Sequence, residues 1–137
     1  MKYTKHNHSV GNNFWHLEWC PKYRYKIFKS NYLKNLCTIL LHEAAKRYNI
    51  TFNALNVQPD HLHGVASLPK GMTEIKAVNL LKGLTSYLLF RLVPKLRLRY
   101  PKGNLWSSGY FATTVGFSDL EKTIDYVNNQ DLHHQFA

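Results

Sequence analysis

Two histidines separated by one residue, His61 and His63, are the residues of this chain best suited to binding a metal ion. On a β-strand, residues i and i+2 point to the same face and lie roughly 7 Å apart along the backbone. The two imidazoles would stand side by side, and neutral imidazole is a common ligand of divalent metals. Two ligands leave coordination positions open, which suits catalysis better than a closed structural site. The spacing predicts an open metal site, although such a pair on a half-exposed strand also arises by chance.

Tyr126 and Gln130 are the second candidate pair, one helical turn apart. On a helix they would be separated by only about 40° and could face one shared site. A phenol, with its usual pKa of about 10, needs a metal, a cation or a base to act as a nucleophile or to polarise its target. An amide oxygen is a reasonable third ligand for a hard ion. The pattern indicates Tyr126 as the nucleophile and Gln130 as a ligand beside His61 and His63, and the alternative for Tyr126 is packing on an amphipathic helix.

Other histidines could contribute to the same site or compete with it. His16 and Glu18 repeat the i, i+2 spacing on an earlier strand. They are either unrelated to the metal site or support the metal ligands. His133 and His134 lie close to the end of the sequence and could compete as ligands. The alternative interpretation is that these two histidines lie at a solvated chain end and do not bind the metal.

The charge of the chain points to a polyanionic partner. Its formal charge is +10, from 18 lysines and arginines against 8 acidic residues. Such an excess is most simply explained by binding to nucleic acid. A basic protein without such a partner is the alternative.

A basic band is concentrated in residues 70–102, which contain eight lysines and arginines but only one acidic residue, Glu74. Aromatic residues are interleaved with these charges, so the cations could bind phosphates while the rings stack on unpaired bases. A solvated helix face explains part of the band. The residues that we predict to contact DNA are Lys82, Arg91, Lys95, Arg97, Arg99 and Lys102.

Four segments have the features of strands, because they alternate in polarity or are rich in aromatic and β-branched residues. They are residues 14–20, 50–57, 61–68 and 110–115. The second and third are joined by the turn sequence Gln58-Pro59-Asp60. On the third, His61 and His63 share a face with Val65 and Ser67.

Three segments have the features of helices. Ser30 and Thr73 are suited to cap the first two, Pro94 stops the second, and Ser118 with Glu121 forms a capping box before the third. Apolar residues recur at helical spacing in each segment. The predicted buried stripes are Leu33, Leu36, Cys37, Leu40, Leu41 and Ala44; Ile75, Val78, Leu81, Thr85, Leu88, Leu89 and Leu92; and Leu120, Ile124 and Val127.

The order of elements is strand, helix, strand, strand, helix, strand, helix. Two helices between mostly antiparallel strands indicate an α+β fold of ferredoxin-like type, with an antiparallel sheet flanked by helices as in RNA-recognition domains. The 137 residues fit one domain, 1–137, and the 45% hydrophobic content is enough for a core.

Several classes are disfavoured. A glycine-rich loop ending in Gly-Lys-Ser/Thr is missing, so we expect no nucleotide cofactor. Zinc-finger cysteine spacing is also missing, and Cys20 and Cys37 fit reduced thiols in a cytoplasmic protein. Residues 1–6 have no apolar signal core, and no stretch reaches the roughly 18 apolar residues of a membrane span. A membrane partner is therefore not expected.

Five motifs, taken in order along nearly the whole chain, resemble one known family. They are WCPKYRY at residues 19–25, PDHLH at 59–63, LKGLTS at 81–86, WSSGYF at 106–111 and IDYVNNQ at 124–130. The second is similar to the His-hydrophobic-His motif of HUH endonucleases. Together they resemble the single-tyrosine transposases of the smallest bacterial and archaeal insertion sequences, the IS200-like elements.

The resemblance implies that His61, His63 and Gln130 bind Mg²⁺ or Mn²⁺ and that Tyr126 is the nucleophile. Family members cut single-stranded DNA at the ends of the element and leave a 5′-phosphotyrosine and a free 3′-OH, so rejoining needs no nucleotide cofactor. They recognise subterminal hairpins and are homodimers, in which the active site can be shared between subunits. The implied location is the cytoplasm, in association with the nucleoid.

Two other functions stay open on the sequence. One is a house-keeping relative that processes repeated palindromic hairpins with the same chemistry. The other is a non-catalytic nucleic-acid-binding domain of RNA-recognition type, which would share the fold.

Overall fold

The computed structural model describes residues 13–129, and within this range the chain forms one four-stranded sheet and three α-helices. The strands are β1 (Phe14–Trp19), β2 (Thr51–Gln58), β3 (His61–Ser67) and β4 (Phe111–Thr114). The helices are α1 (Asn31–Arg47), α2 (Glu74–Leu92) and α3 (Leu120–Asn128). The predicted order of elements is confirmed, and each predicted strand boundary is correct to within one residue.

The sheet order is β2-β3-β1-β4, and every neighbouring pair is antiparallel. This is the arrangement expected of two interleaved β-α-β units, so the predicted α+β, ferredoxin-like class is confirmed. The order makes β3 and β1 the two central strands. The residues of β1 therefore lie directly beside those of β3, although β1 and β3 are far apart in the sequence.

The hairpin of β2 and β3 depends on a close approach at Gly64. A Cβ atom at this position would lie 2.7 Å from the carbonyl oxygen of Ala54 and 3.0 Å from the ring of Phe52. Real Cβ atoms do not come so close to a backbone oxygen. A larger residue would therefore push β2 away from β3 immediately beside His63.

The larger core lies on one face of the sheet, where α1 and α2 pack. Leu17 and Trp19 of β1 and Leu62 and Ala66 of β3 form its sheet side. The helices contribute buried side chains at the predicted spacing, namely Cys37, Leu40, Leu41, Ala44, Val78, Leu81 and Leu89.

A smaller core lies on the opposite face, where α3 packs against β2 and β3. Leu120 and Val127 of α3 are buried there, Ile124 is partly buried, and Phe14 and Val65 come from the sheet. The predicted stripe of α3 is confirmed. Because Val65 shares its face with His61 and His63, α3 covers the side of the sheet that carries the two histidines.

Two of the three predicted helix caps are confirmed. The hydroxyl of Ser30 accepts a hydrogen bond from the backbone N–H of Leu33, and that of Thr73 accepts one from Lys76. Pro94 begins a short 3₁₀ segment directly after α2.

The predicted capping box of α3 is wrong. Ser118 lies inside a one-turn 3₁₀ helix, Phe117–Asp119, and Asp119 occupies the N-cap position without a side-chain capping bond. A backbone hydrogen bond from Asp119 N–H to the Gly116 carbonyl, 3.0 Å long, closes this turn and displaces the start of the helix.

The predicted stripe of α2 is correct in its centre and wrong at its ends. Ile75 and Leu92 are each 53% exposed, because they lie in the first and last turns of the helix. Ala77 and Phe90 are buried instead. Among the helices that the structure describes, none combines the length and the apolar character needed to cross a bilayer.

Candidate functional site

His61 and His63 stand side by side on β3, on the face that α3 covers. Their ring centroids are 5.9 Å apart. His63 is buried, with 1% of its surface exposed, whereas His61 is partly buried. The alternation of the strand therefore brings the predicted pair together on one face.

Tyr126 of α3 lies beside His63, one member of this pair. Its ring centroid is 6.2 Å from that of His63, in an edge-on arrangement, and 47% of the residue is exposed. The helix is held at this place by a hydrogen bond from the Asn56 side-chain amide to the Val127 carbonyl, 2.9 Å long. Asn56 is itself the β2 neighbour of His63 and accepts a bond from Gln58. The hairpin that carries the histidines thus also positions the helix that carries the phenol.

His16 is a third member of the cluster, because β1 lies next to β3. Its Nε2 is 3.3 Å from Nδ1 of His63, within hydrogen-bond distance. Its ring centroid is 5.6 Å from His63 and 6.4 Å from Tyr126. Burial lowers the pKa of His16, against the opposing effect of the Glu18 carboxylate. In the sequence, only the i, i+2 spacing of His16 and Glu18 pointed to this residue, and it did not decide whether His16 supports the metal ligands or is unrelated to them. The structure places His16 at the site.

Asp60 orients His61. The His61 Nδ1–H donates a hydrogen bond to Oδ1 of Asp60 over 2.9 Å, and the other carboxylate oxygen lies 3.5 Å from the Arg24 guanidinium. The bond from His61 is the largest cause of a lowered pKa at Asp60, and Arg24 adds to it. A carboxylate on one ring nitrogen fixes the tautomer of a histidine and presents the other nitrogen to a metal. That other nitrogen, Nε2, is 3.8 Å from an oxygen of Glu18.

The donor set fits part of a divalent-metal site. Two adjacent imidazoles, one of them oriented by a carboxylate, are a common arrangement around such ions. Across residues 13–129, however, no group of three or more His, Cys, Asp or Glu side chains is gathered as a metal would require. The predicted third ligand, Gln130, lies outside the described residues, as do His133 and His134. The two histidines would therefore need a ligand such as Gln130 to complete the site.

Lys82, one of the predicted DNA contacts, is engaged within the fold. Its ammonium donates hydrogen bonds to the carbonyls of Ser107 and Gly109, over 2.8 and 2.9 Å. Burial lowers its pKa. The side chain ties the loop before β4 to α2, and a DNA contact at Lys82 stays a prediction.

The other predicted DNA contacts lie on α2 and the segment that follows it. Arg91 donates a hydrogen bond to the hydroxyl of Tyr87. The guanidinium carbons of Arg97 and Arg99 lie over the rings of Phe90 and Tyr25, at 4.8 and 5.7 Å from their centroids. Lys95 and Lys102 are exposed. These charges are concentrated around aromatic rings, and their DNA contacts stay a prediction.

Comparison with known proteins gives consistent matches. Residues 9–130 match the family described as "Transposase IS200 like". The ISDra2 transposase TnpA of Deinococcus radiodurans is 29% identical over 116 residues, covering 85% of this chain and 82% of the relative. The transposase for insertion sequence element IS200 of Salmonella typhimurium is 27% identical over 123 residues, covering 90% and 80%.

Two solved structures share the fold. A crystal structure of a putative transposase from Deinococcus radiodurans superposes with a TM-score of 0.71 at 26% identity, covering 95% of this chain and 98% of that one. A REP-associated tyrosine transposase bound to a REP hairpin gives a TM-score of 0.64 at 14% identity, covering 100% and 74%. The second likeness concerns the fold alone.

Proposed function

Because the chain belongs to the IS200-like transposases, whose family description it matches over residues 9–130, we propose that it cleaves and rejoins single-stranded DNA at the ends of an insertion sequence. Tyr126 is the proposed nucleophile. His61, His63 and Gln130 are the proposed ligands of Mg²⁺ or Mn²⁺.

The observation that carries this proposal is the position of Tyr126 beside His63, one member of the histidine pair. Its ring lies 6.2 Å from that of His63, on the same face of the sheet, and almost half of the residue is open to solvent. A phosphate at the mouth of this cluster would be within reach of both the phenol and a cation held by the imidazoles. A phenol that only packed in the core would be covered on all sides.

In each step of the proposed reaction, one phosphoester bond forms as another breaks. The Tyr126 oxygen attacks phosphorus and the bond from phosphorus to the 3′ oxygen breaks, which leaves a 5′-phosphotyrosine and a 3′-OH. The phenolic proton passes to solvent and the leaving oxygen takes up a proton. A 3′-OH then attacks the same phosphorus, the bond to Tyr126 breaks, and the phenol is restored. One phosphodiester is exchanged for another, so no nucleotide cofactor is required.

His61 and His63 would hold the ion, and Asp60 keeps His61 in the orientation that coordination needs. A bound Mg²⁺ or Mn²⁺ would neutralise charge on the non-bridging phosphate oxygens. His16 supports His63 from the neighbouring strand. By holding the ion in place, the cluster would orient the phosphate beside Tyr126.

The proposed DNA partner carries hairpins, and the proposed assembly is a homodimer. One solved relative of the same fold is bound to a REP hairpin. Strand β4 lies at an edge of the sheet and carries Phe111, which is 51% exposed, so a second copy could cover it. A site shared between subunits is part of the proposal, and Tyr126 also lies over the His63 of its own chain.

The deciding experiment is a covalent-adduct assay. The protein is incubated with labelled single-stranded DNA from the flanks of its own gene, with and without Mn²⁺, and scored for a denaturation-resistant protein–DNA band. The wild type should give a metal-dependent adduct on the 5′ end, and Tyr126→Phe should give none. Tyr32→Phe, an exposed tyrosine on α1, is the matched control and should react normally.

An adduct that persists in Tyr126→Phe would remove this residue from the mechanism. A wild type that binds DNA but never becomes attached to it would favour the non-catalytic binding domain. The house-keeping relative uses the same chemistry, and it is distinguished by a gene that does not lie between matching subterminal hairpins.

A further inference from the structure

A basic and aromatic surface lies beside the histidine cluster, on the turn that follows β1. Tyr23 is at its centre, with Tyr25 and Tyr100 behind it. Lys22 lies on one side, and Lys102 lines the same small cavity as Tyr23 and Tyr100. We call this surface the Tyr23 platform.

Tyr23 is held outward by an unusual backbone. Its φ is 65°, and that of Arg24 is 51°, so two successive non-glycine residues adopt the left-handed conformation. Such residues are uncommon, and they persist only where the surrounding structure enforces them. The Lys22 N–H donates to the Leu105 carbonyl over 2.8 Å, and the Arg24 N–H donates to Pro21 over 2.9 Å. The turn is thus fixed by its neighbours, and Tyr23 stays 64% exposed.

The ring of Tyr23 is backed by two other rings. It is stacked on Tyr100, with planes 6° apart and centroids separated by 6.5 Å, and its centroid is 5.3 Å from that of Tyr25. Tyr100 is buried, and its hydroxyl donates to the Lys22 carbonyl over 3.2 Å. Burial raises the pKa of Tyr100 to about 12, so it stays a neutral donor at physiological pH. The stack therefore presents a rigid aromatic surface to solvent.

The charges around this surface are positive. The Lys22 ammonium lies over the Tyr23 ring, 5.5 Å from its centroid, and the Arg99 guanidinium lies over Tyr25. The flexible Lys22 side chain has to turn away from this ring when a base stacks on it. Lys102 is exposed at the rim. A flat π surface between flexible cations is complementary to an unpaired base with phosphates on both sides.

The platform is physically connected to the histidine cluster. Arg24, the residue after Tyr23, has its guanidinium 3.5 Å from Asp60, and Asp60 accepts the hydrogen bond of His61. A strand whose phosphate lies at the histidines can therefore continue over the 22–24 turn. The two surfaces are suited to adjacent parts of one polymer.

We propose that Tyr23 is a stacking platform for an unpaired base of the DNA strand near the phosphate that is cut, with Lys22 and Lys102 on the neighbouring phosphates. This rests on the proposed function, because it takes the same single strand as its ligand. The base is bound by its π surface, so the contact tolerates different bases and requires only that the base is unpaired.

The test measures binding apart from cleavage. In the Tyr126→Phe background and without metal, the dissociation constant for a fluorescent single-stranded oligonucleotide is measured for Tyr23→Ala and Tyr23→Phe. Tyr23→Ala should weaken binding about tenfold or more, and Tyr23→Phe should stay within about twofold of the parent. Tyr32→Ala is the matched control, since Tyr32 is also 64% exposed, and it should bind normally.

A second measurement guards against misfolding of the variant. A series of oligonucleotides, each with one abasic position, is bound to protein with an intact Tyr23. Affinity should fall at one position, and in Tyr23→Ala that position should lose its effect. Equal binding by Tyr23→Ala and its parent, or a flat profile with Tyr23 present, would overturn the proposal.

The two experiments together show which of the two proposals is wrong if one of them fails. If wild type forms the metal-dependent adduct while Tyr23→Ala binds normally, the platform is wrong and the cleavage proposal stands. If Tyr23→Ala loses affinity while wild type never forms an adduct, the platform stands as a binding surface and the cleavage proposal is wrong.

Discussion

Nε2 of His16 lies 3.3 Å from Nδ1 of His63, so the two central strands of the sheet join their histidines beneath Tyr126. The contact links a residue of β1 to a residue of the proposed metal pair on β3. The position of the His63 ring, and with it the position of any ion bound to His63, therefore depends on His16. Changing a partner that holds the ring of a metal ligand typically weakens metal binding by about 10- to 100-fold.

Replacing His16 should therefore weaken metal use. His16→Gln is expected to raise the Mn²⁺ concentration needed for half-maximal adduct formation by about 10- to 100-fold, because His63 loses the group that holds its ring. A Mn²⁺ titration of the adduct assay measures this. His42→Gln, which changes an exposed histidine packed on Phe52, should leave the titration unchanged. Equal titrations for His16→Gln and wild type would show that the contact is only structural.

Asp60 should make stability depend on pH in the acid range. Its pKa is lowered in the folded protein, chiefly by the hydrogen bond from His61, so its stabilising effect is present above the unfolded pKa of about 3.9. The effect is lost as the pH falls through the lower folded value. Thermal unfolding of wild type and Asp60→Asn should therefore differ at pH 7 and converge towards pH 2. A difference of the same size at both pH values would contradict the ionised carboxylate.

Gly64→Ala should destabilise the fold beside the site. The added Cβ would lie 2.7 Å from the Ala54 carbonyl oxygen, and such overpacking costs about 1–3 kcal/mol of unfolding free energy. Adduct formation should fall as well, because β3 is displaced next to His63. Gly83→Ala in α2 is the control: its Cβ meets nothing within 4 Å, and it should gain about 0.5–1 kcal/mol. Denaturant titrations that rank the two variants in the opposite order would refute this packing argument.

Asn56→Ala should loosen α3. The variant loses the bond from the Asn56 amide to the Val127 carbonyl, which is expected to cost about 1 kcal/mol and to let the helix that carries Tyr126 move. Hydrogen exchange should accelerate in residues 120–128, and adduct formation should slow. Asn79→Ala, at an exposed position of α2, should change neither. Unaltered exchange in α3 after the Asn56 change would mean that Leu120 and Val127 suffice to hold the helix.

Lys82→Met separates the two roles of this lysine. Its ammonium bonds the carbonyls of Ser107 and Gly109, so we expect the variant to lose about 1–2 kcal/mol of stability. If Lys82 also contacts a phosphate, as the sequence predicts, the slope of log affinity against log salt falls by about one, whereas an unchanged slope would show that its role is structural alone. Binding isotherms at several salt concentrations, together with denaturant unfolding, distinguish the outcomes.

The sequence by itself determined the order of the elements and the local geometry within each. Alternation placed His61 and His63 on one face of a strand, and Ser30, Thr73 and Pro94 marked helix ends correctly. These are effects of neighbouring residues, since the periods of strands and helices and the chemistry of caps act over a few positions. The predicted start of α3 was one residue too early, because Phe117–Asp119 forms a 3₁₀ turn that is closed by the bond from Asp119 N–H to the Gly116 carbonyl.

The tertiary structure alone decided which elements lie side by side. His16 meets His63, 47 positions away, only because β1 pairs with β3, and Tyr126 lies over both because α3 packs on that face. Lys82 finds its carbonyl partners 25 and 27 positions away. Periodicity reports which face a residue occupies, but the neighbour across that face is set by chain topology and by the burial of apolar surface, which no local pattern contains.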